Sequence, residues 1–319
     1  MDPICHTLVG ATLGATGLEK RTRYGRLTLI LAANLPDIDA VAHAWGYPAT
    51  YAFRRGITHG LPAVVVLPVL LALLMIWMDR IRPPPVHGRR ANPGWLLALA
   101  ATGVATHPSL DWLNNYGMRW LMPAVDRWSY GDTLFIVDWV AWSILAVALG
   151  SAWLLRRRVL TWYARPAVLG IALLLGYIGM NAQITAVAER ATWAALAGRP
   201  PQRLMASPVP LNPFARDLVL DYGDEYRFAD YRYFGTPPIV VNARVIKVGD
   251  RAYFDRASSI REGRWFLHWA RFPYVVPVRR RDELILRLGD ARYVRDIDSP
   301  RLRDFGVLEL DFRDVDDES

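Results

Sequence analysis

Residues 58–82 read THGLPAVVVLPVLLALLMIWMDRIR. Within them, the eighteen residues Leu61–Met78 carry no charge, close to the length a helix needs to cross the ~30 Å hydrocarbon core of a bilayer. His59 stands immediately before the run, and Arg80 and Arg82 follow it. Histidine at one end and cations at the other is a pattern that the flanking sequence repeats.

Working outward, Phe135–Leu155 is a second apolar run, with only Asp138 near its start, and Ala167–Ile184 is a third without charge. Gly94–Thr106 is apolar but short, so it needs its flanks or a tilt to span. Ile4–Leu18 and Leu27–Leu35 are also short and read as re-entrant or packed against the other helices. Asp2 opens the chain and no basic region precedes the first apolar run, so no secretory signal peptide is expected. The expected fold is an α-helical integral membrane domain of about four to six membrane segments over 1–184. A helix and Pro-rich linker over 185–217 and a small, mainly antiparallel β extramembrane domain over 218–319 complete it.

Composition agrees with a membrane protein. Of 319 residues, 53% are hydrophobic and 12% aromatic, with 13 Trp, the residue of membrane interfaces. The net charge of +8 suggests nucleic acid until it is divided by position. Residues 1–183 hold 16 Lys/Arg and 9 Asp/Glu, whereas residues 184–319 hold 22 and 21. Twelve of the 16 cations fall in three stretches: Lys20, Arg21, Arg23 and Arg26; Arg80, Arg82, Arg89 and Arg90; Arg156, Arg157, Arg158 and Arg165. These stretches punctuate apolar runs instead of interleaving with aromatics on one groove, which excludes a nucleic-acid reading and matches the positive-inside rule. The single cysteine, Cys5, excludes an internal disulfide framework or a Cys-rich metal cluster.

Placing the three basic stretches in the cytoplasm makes the segments alternate without a forced step. Residues 1–6, 36–60, 107–133 and everything after about 185 then lie outside, in the periplasm of a two-membrane bacterium. At that outer level four distant segments each deliver His or Asp: His6; Asp37 and Asp39; His59; and His107 with Asp111. Asp132 and Asp138 flank a fifth. His107 and Asp111 stand at i and i+4, one face of a helix. Imidazole with carboxylate is the ligand set of Zn²⁺, Mn²⁺ or Fe²⁺, and a divalent ion so held activates water for hydrolysis near neutral pH. One carboxylate of the Asp37/Asp39 pair can ligate while the other orients a histidine or moves a proton. Arg54 and Arg55 lie near enough in sequence to hold a phosphate. Each residue also has a plainer reading: helix caps for the aspartates, headgroup anchors for the arginines, a small buried hydrophobe for Cys5. Asp138, inside an apolar run, is costly without a partner. Asp132 is expected to cap a helix, and His43, His87 and His268 are assigned no role.

The opening Asp2-Pro3 to Gly10, the Asn34–Asp39 turn, Arg55-Gly56-Ile57-Thr58-His59, His107-x-x-x-Asp111, and Tyr116-Gly117 with Gly131–Asp138 together resemble the YdjM-like family of bacterial inner-membrane metal-dependent hydrolases. The resemblance covers roughly residues 1–185. It implies metal ligands at His6, Asp37 or Asp39, His59, His107, Asp111 and Asp138. More loosely the His/Asp order is similar to zinc-dependent phospholipase C, which implies phosphoester substrates. Arg54 stands where the family often has His, and Gly60 where it has Ser.

After the five prolines of 199–213 the pattern turns to period two, with strands expected at Ile239–Val248, Trp265–Val278, Glu283–Leu288 and Val307–Arg313. No catalytic motif stands out there; a stabilising or partner-binding cap is expected, and Asp314–Ser319 reads as a frayed acidic end. The sequence therefore points to a membrane-bound hydrolase of a phosphoester or related ester, with Asp37 and Asp39 in catalytic roles. Zinc is the expected ion, manganese or iron the alternatives, and membrane lipids the expected surroundings. A scaffold with a structural metal is the alternative, and an ion transporter ranks last.

Overall fold

The structure, a computed structural model, describes residues 1–84, 88–280, 283–295 and 305–313. His87 and Asp314–Ser319 lie outside them. Contacts divide the chain into two compact units. The first comprises Met1–Asp39, Arg55–Thr185 and Ser207–Pro213; the second comprises Ala40–Arg54, Ala186–Ala206 and Phe214–Ser319.

The first unit is helical. Helix α1 (Pro3–Ala15) starts where the Asp2 carboxylate accepts the Ile4 and Cys5 amides at 3.0 and 3.1 Å, two of the donors a helix start leaves open. Helix α2 (Gly25–Asn34) and a 3₁₀ stretch over Leu35–Trp45 follow, then α3 (Tyr47–Phe53), which belongs to the second unit. Helices α4 (Leu61–Ile81), α5 (Pro93–Trp112), α6 (Trp139–Arg157) and α7 (Arg165–Ala195) are the long ones. Asn92 caps α5 and Asp138 caps α6. The segment expected at Gly94–Thr106 thus recruits both flanks and reaches twenty residues. Among the described residues, α4, α6 and α7 are long and apolar enough to cross a membrane. Val65, Leu70 and Leu73 of α4 stay more than half exposed, as side chains facing lipid would.

Two cores hold these helices. Ala32 of α2, Leu67, Leu71 and Met75 of α4, and Leu96, Ala100 and Val104 of α5 form one. Cys5 and Val9 of α1 pack with Leu110, Ala141, Leu145 and Leu174 in the other. Glycine sets the spacing around α2. A Cβ on Gly10 of α1 would stand 2.7 Å from the Leu29 carbonyl oxygen, and one on Gly103 of α5 would stand 3.0 Å from the same atom. Both helices therefore press on α2 at one peptide, the close approach small residues permit between packed helices.

The three basic stretches meet at one end of this unit. Arg23 pairs with Asp79 at 2.8 Å, Arg90 with Asp79 at 3.6 Å, and Arg156 with Glu19. The Asn92 amide donates to Thr22 Oγ1 at 2.8 Å, joining the α5 start to the loop before α2.

The second unit carries antiparallel sheets, apart from Ser207–Pro213, which belongs to the first. One has the order β1 (Arg203–Val209), β2 (Asn212–Asp221), β3 (Glu225–Arg232), β4 (Ile239–Lys247); the other has β5 (Pro273–Arg280), β6 (Glu283–Asp290), β7 (Val307–Arg313). Met205, Val219, Tyr226, Phe228, Phe272 and Tyr274 make its core. The proline-bearing segment 199–213, expected as a linker, supplies β1 and the start of β2. The strand expected over Trp265–Val278 begins only at Pro273. Arg261–Trp269 is instead helix α9, after α8 (Arg251–Ser259), and His268 sits on it. Three aromatics in five residues have strand composition, but Gly263, Phe266 and Trp269 are buried at a spacing of three, which is helical. Within this unit Tyr51 of α3 packs on Trp269 and Phe266, ring centroids 4.5 and 5.1 Å away.

The Gly103→Val variant is expected to force α5 off α2, costing about 1–3 kcal/mol as overpacking does. Thermal unfolding in detergent checks this against Gly150→Ala, where a Cβ meets nothing within 4 Å and the melting temperature should not fall.

Candidate metal centre

His59, His107, Asp111 and Asp37 each place one ligand atom within 4.8 Å of all the others. They come from the loop before α4, from α5, and from the 3₁₀ stretch after α2. His59 and His107 are fully buried, Asp111 is 1% exposed, and Asp37 alone keeps a partly open side chain, 16%. His59 Nε2 lies 3.1 Å from His107 Nε2. Asp111 Oδ2 lies 3.3 Å from the first and 3.7 Å from the second, and Asp37 Oδ1 lies 3.8 Å from His107 Nε2.

Each ring's far nitrogen is already committed. His107 Nδ1 faces the Ala33 carbonyl at 2.7 Å, so it carries the proton and donates it. His59 Nδ1 faces Asp39 Oδ2 at 3.2 Å, the carboxylate–histidine pairing that leaves Nε2 free to ligate. Both Nε2 atoms therefore gather at the same place as two carboxylate oxygens, a donor set able to hold a cation. The size fits. A zinc–nitrogen bond of about 2.0–2.1 Å implies tetrahedral edges of about 3.3 Å; four of the six separations run from 3.1 to 3.8 Å, and all lie within 4.8 Å. Burial alone would strip His59 of its proton. Its bonds to Asp111 and Asp39 override that and raise its pKa above the usual value, so without metal a proton takes up part of the role.

Around these groups sits a supporting layer. Asp39 Oδ2 also accepts the Arg55 amide at 2.8 Å and the Thr58 hydroxyl at 2.9 Å. Arg55 is buried; its Nε reaches Asp111 Oδ2 at 2.9 Å and its Nη1 reaches Asn114 Oδ1 at 2.9 Å. Its guanidinium also lies over the Tyr116 ring, 4.7 Å from the centroid. Arg55 has a positive φ of 53°, a costly conformation for a side-chain-bearing residue, pinned by Asp39 on its N–H and by the Arg119 amide at 3.0 Å on its carbonyl. His6 stacks on His107 with centroids 3.8 Å apart, and its Nε2 meets Asp111 Oδ1 at 3.2 Å. The amino group of Met1 contacts the same oxygen.

Of the residues expected at the metal, His59, His107, Asp111 and Asp37 converge, His6 adjoins them through Asp111, and Asp39 stands behind His59. Asp138 goes elsewhere: it caps α6 through the Val140 and Ala141 amides at 3.1 and 3.0 Å and receives the Tyr177 hydroxyl at 3.0 Å. Arg55 faces inward to Asp111, and Arg54 lies in the second unit. Thr58 and Asn114 entered no expectation. The signals for them were adjacency to His59 and the i+3 position after Asp111.

Residues 1–186 match the YdjM inner membrane protein family, and the chain belongs to it. With its three apolar helices it is an inner-membrane protein. No curated protein and no solved structure matches the chain.

Metal analysis of purified protein should show His107→Ala emptied and Asp39→Asn weakened about 10–100-fold, the cost of losing a ligand's orienting partner. Asp138→Asn should keep its metal. Affinity should fall as pH drops through the raised His59 pKa, because binding must displace that proton; titration against a chromogenic chelator from pH 8.5 to 5.5 reads it.

Proposed function

We propose that this protein is a membrane-bound, metal-dependent hydrolase acting on a phosphoester or related ester, with a lipid or envelope component as substrate. The supporting observation is the convergence of two imidazole lone pairs and two carboxylates at a point whose only partly open member is Asp37. The mixed nitrogen and oxygen donors favour zinc, with manganese or iron as alternatives. Such an ion, when bound, supplies electrophilic activation of water and of the ester. The chain's residues do the rest. Asp39 holds the His59 ring in its ligating tautomer, and Arg55 fixes the Asp111 carboxylate and offsets its charge. Asp37, the partly exposed member, would hold the ion through one carboxylate oxygen and is the carboxylate placed to act as general base.

In this reading the chain has four to six membrane segments: α4, α5, α6 and α7, with α1 and α2 as shorter helices packed among them. The end where the basic stretches meet faces the cytoplasm, and the metal centre and the β unit face the periplasm. Membrane lipids are its surroundings; with the cations spent at helix ends, nucleic acid is not a partner.

One observation favours a second reading, a scaffold with a structural metal: four protein groups are enough to fill a tetrahedral ion.

Zinc-loaded protein in detergent should cleave bis-p-nitrophenyl phosphate or turn over a species in a lipid extract, and His107→Ala should lose at least about 100-fold. Stoichiometric zinc with no turnover of either would establish the scaffold instead. For orientation, cysteine introduced at Gly198 in a Cys5→Ala background should label from outside intact spheroplasts. One at Arg89 should label only after permeabilisation.

A further inference from the structure

Far from the metal centre, at the end where the basic stretches meet, an open cleft of about 520 Å³ is lined by Glu19, Lys20, Tyr24, Arg26, Leu27, Ile30 and Arg156. We propose that this cleft binds the phosphate headgroup of an anionic phospholipid. The inference stands apart from any reading of the metal centre.

Charge is the first argument. Three cations face one carboxylate, and Glu19 is only 9% exposed, held by Arg156 and by Arg26 at 3.9 Å. It cancels one positive charge and leaves about two facing outward, since Arg26 and Arg156 keep more than half of their side chains exposed. Lys20 is steadied over the Tyr163 ring, 4.3 Å from its centroid. A phosphate satisfies such a site, whereas a zwitterionic headgroup brings an ammonium group that the same charges repel.

Depth is the second. Arg156 lies in the last turn of α6, one of the helices long and apolar enough to span. In the same basic stretches aromatics pair with cations: Trp153 with Arg157 at 4.1 Å and Trp95 with Arg21 at 5.2 Å, besides Tyr163 with Lys20. Aromatic and basic side chains together mark the headgroup level of a bilayer. The third argument is shape. Leu27 is 39% exposed, and with Ile30 it makes one wall of the cleft apolar, continued along α2 by Leu31, also 39% exposed. A free anion has no use for that wall; an acyl chain lies along it.

The test uses full-length protein in a neutral maltoside and three probes: dihexanoylphosphatidylglycerol, dihexanoylphosphatidylcholine and inorganic phosphate, read by tryptophan fluorescence. The glycerol lipid should bind saturably and at least about ten-fold tighter than either other probe. Lys20→Gln with Arg26→Gln should lose at least about ten-fold, while Arg80→Gln with Arg89→Gln, removing equal charge outside the cleft, should stay within about two-fold. Leu27→Asn keeps every cation, so it should weaken the lipid and leave inorganic phosphate unchanged; it serves also if the cleft double variant elutes as aggregate. Equal loss in the two double variants, equal binding of the two lipids, or inorganic phosphate binding as tightly as the glycerol lipid would each overturn the proposal.

Discussion

The Asp111 carboxylate is almost wholly withdrawn from solvent, and an isolated buried charge costs several kcal/mol. It is tolerable only with partners, and those partners come from every part of the first unit's centre. Arg55 and His59 arrive from the loop before α4, His6 and the Met1 amino group from the start of α1, and His107 from one turn back on α5. One carboxylate thus requires segments that are distant in sequence to meet. The positive φ of Arg55, held by Asp39 and Arg119, accompanies that contact.

The helices can meet that demand because of two glycines. His6 precedes Gly10 by one turn, and His107 follows Gly103 by one turn. Both glycines lie against the Leu29 carbonyl, so the turns carrying the histidines are drawn together and the rings stack. Apolar packing alone does not specify such a stack, since Leu and Val tolerate many offsets. Close approach at a single peptide sets both the spacing and the level. The metal centre is then a consequence of backbone proximity: with far-side nitrogens committed to Ala33 and Asp39, the free lone pairs of His59 and His107 have one place to point.

Much of this was legible before any coordinates. Apolar runs flanked by cations named the membrane helices, and histidines at the opposite ends of those runs named the centre, because lipid forbids charge in between and leaves polar residues only the ends. The i, i+4 spacing placed His107 and Asp111 on one face. Other features depend on tertiary geometry that a linear pattern does not carry. Asp37 and Asp39 are equivalent as a pair, and only the register of the 3₁₀ stretch sends one toward His107 Nε2 and the other toward His59 Nδ1. Asp138 has the cost of a charge in an apolar run, yet backbone amides and Tyr177 satisfy it without a metal. Arg55 reads as a phosphate clamp because arginine beside a predicted centre has two roles, and burial selects the inward one. Trp265 to Trp269 has strand composition, and only the spacing of what it buries makes it helical.

The chain leaves the first unit after Asp39 and returns to it at Arg55, with the fifteen residues Ala40–Arg54 belonging to the second unit. The hydrogen bond from the Arg55 amide to Asp39 Oδ2 closes the excursion at its base, so its two ends are held together before either reaches a ligand. Asp39 then spends the same oxygen on Thr58 and His59. The aspartate that looked like a second ligand therefore ties the backbone at Arg55 and the Thr58 hydroxyl to the ring of His59 through one oxygen.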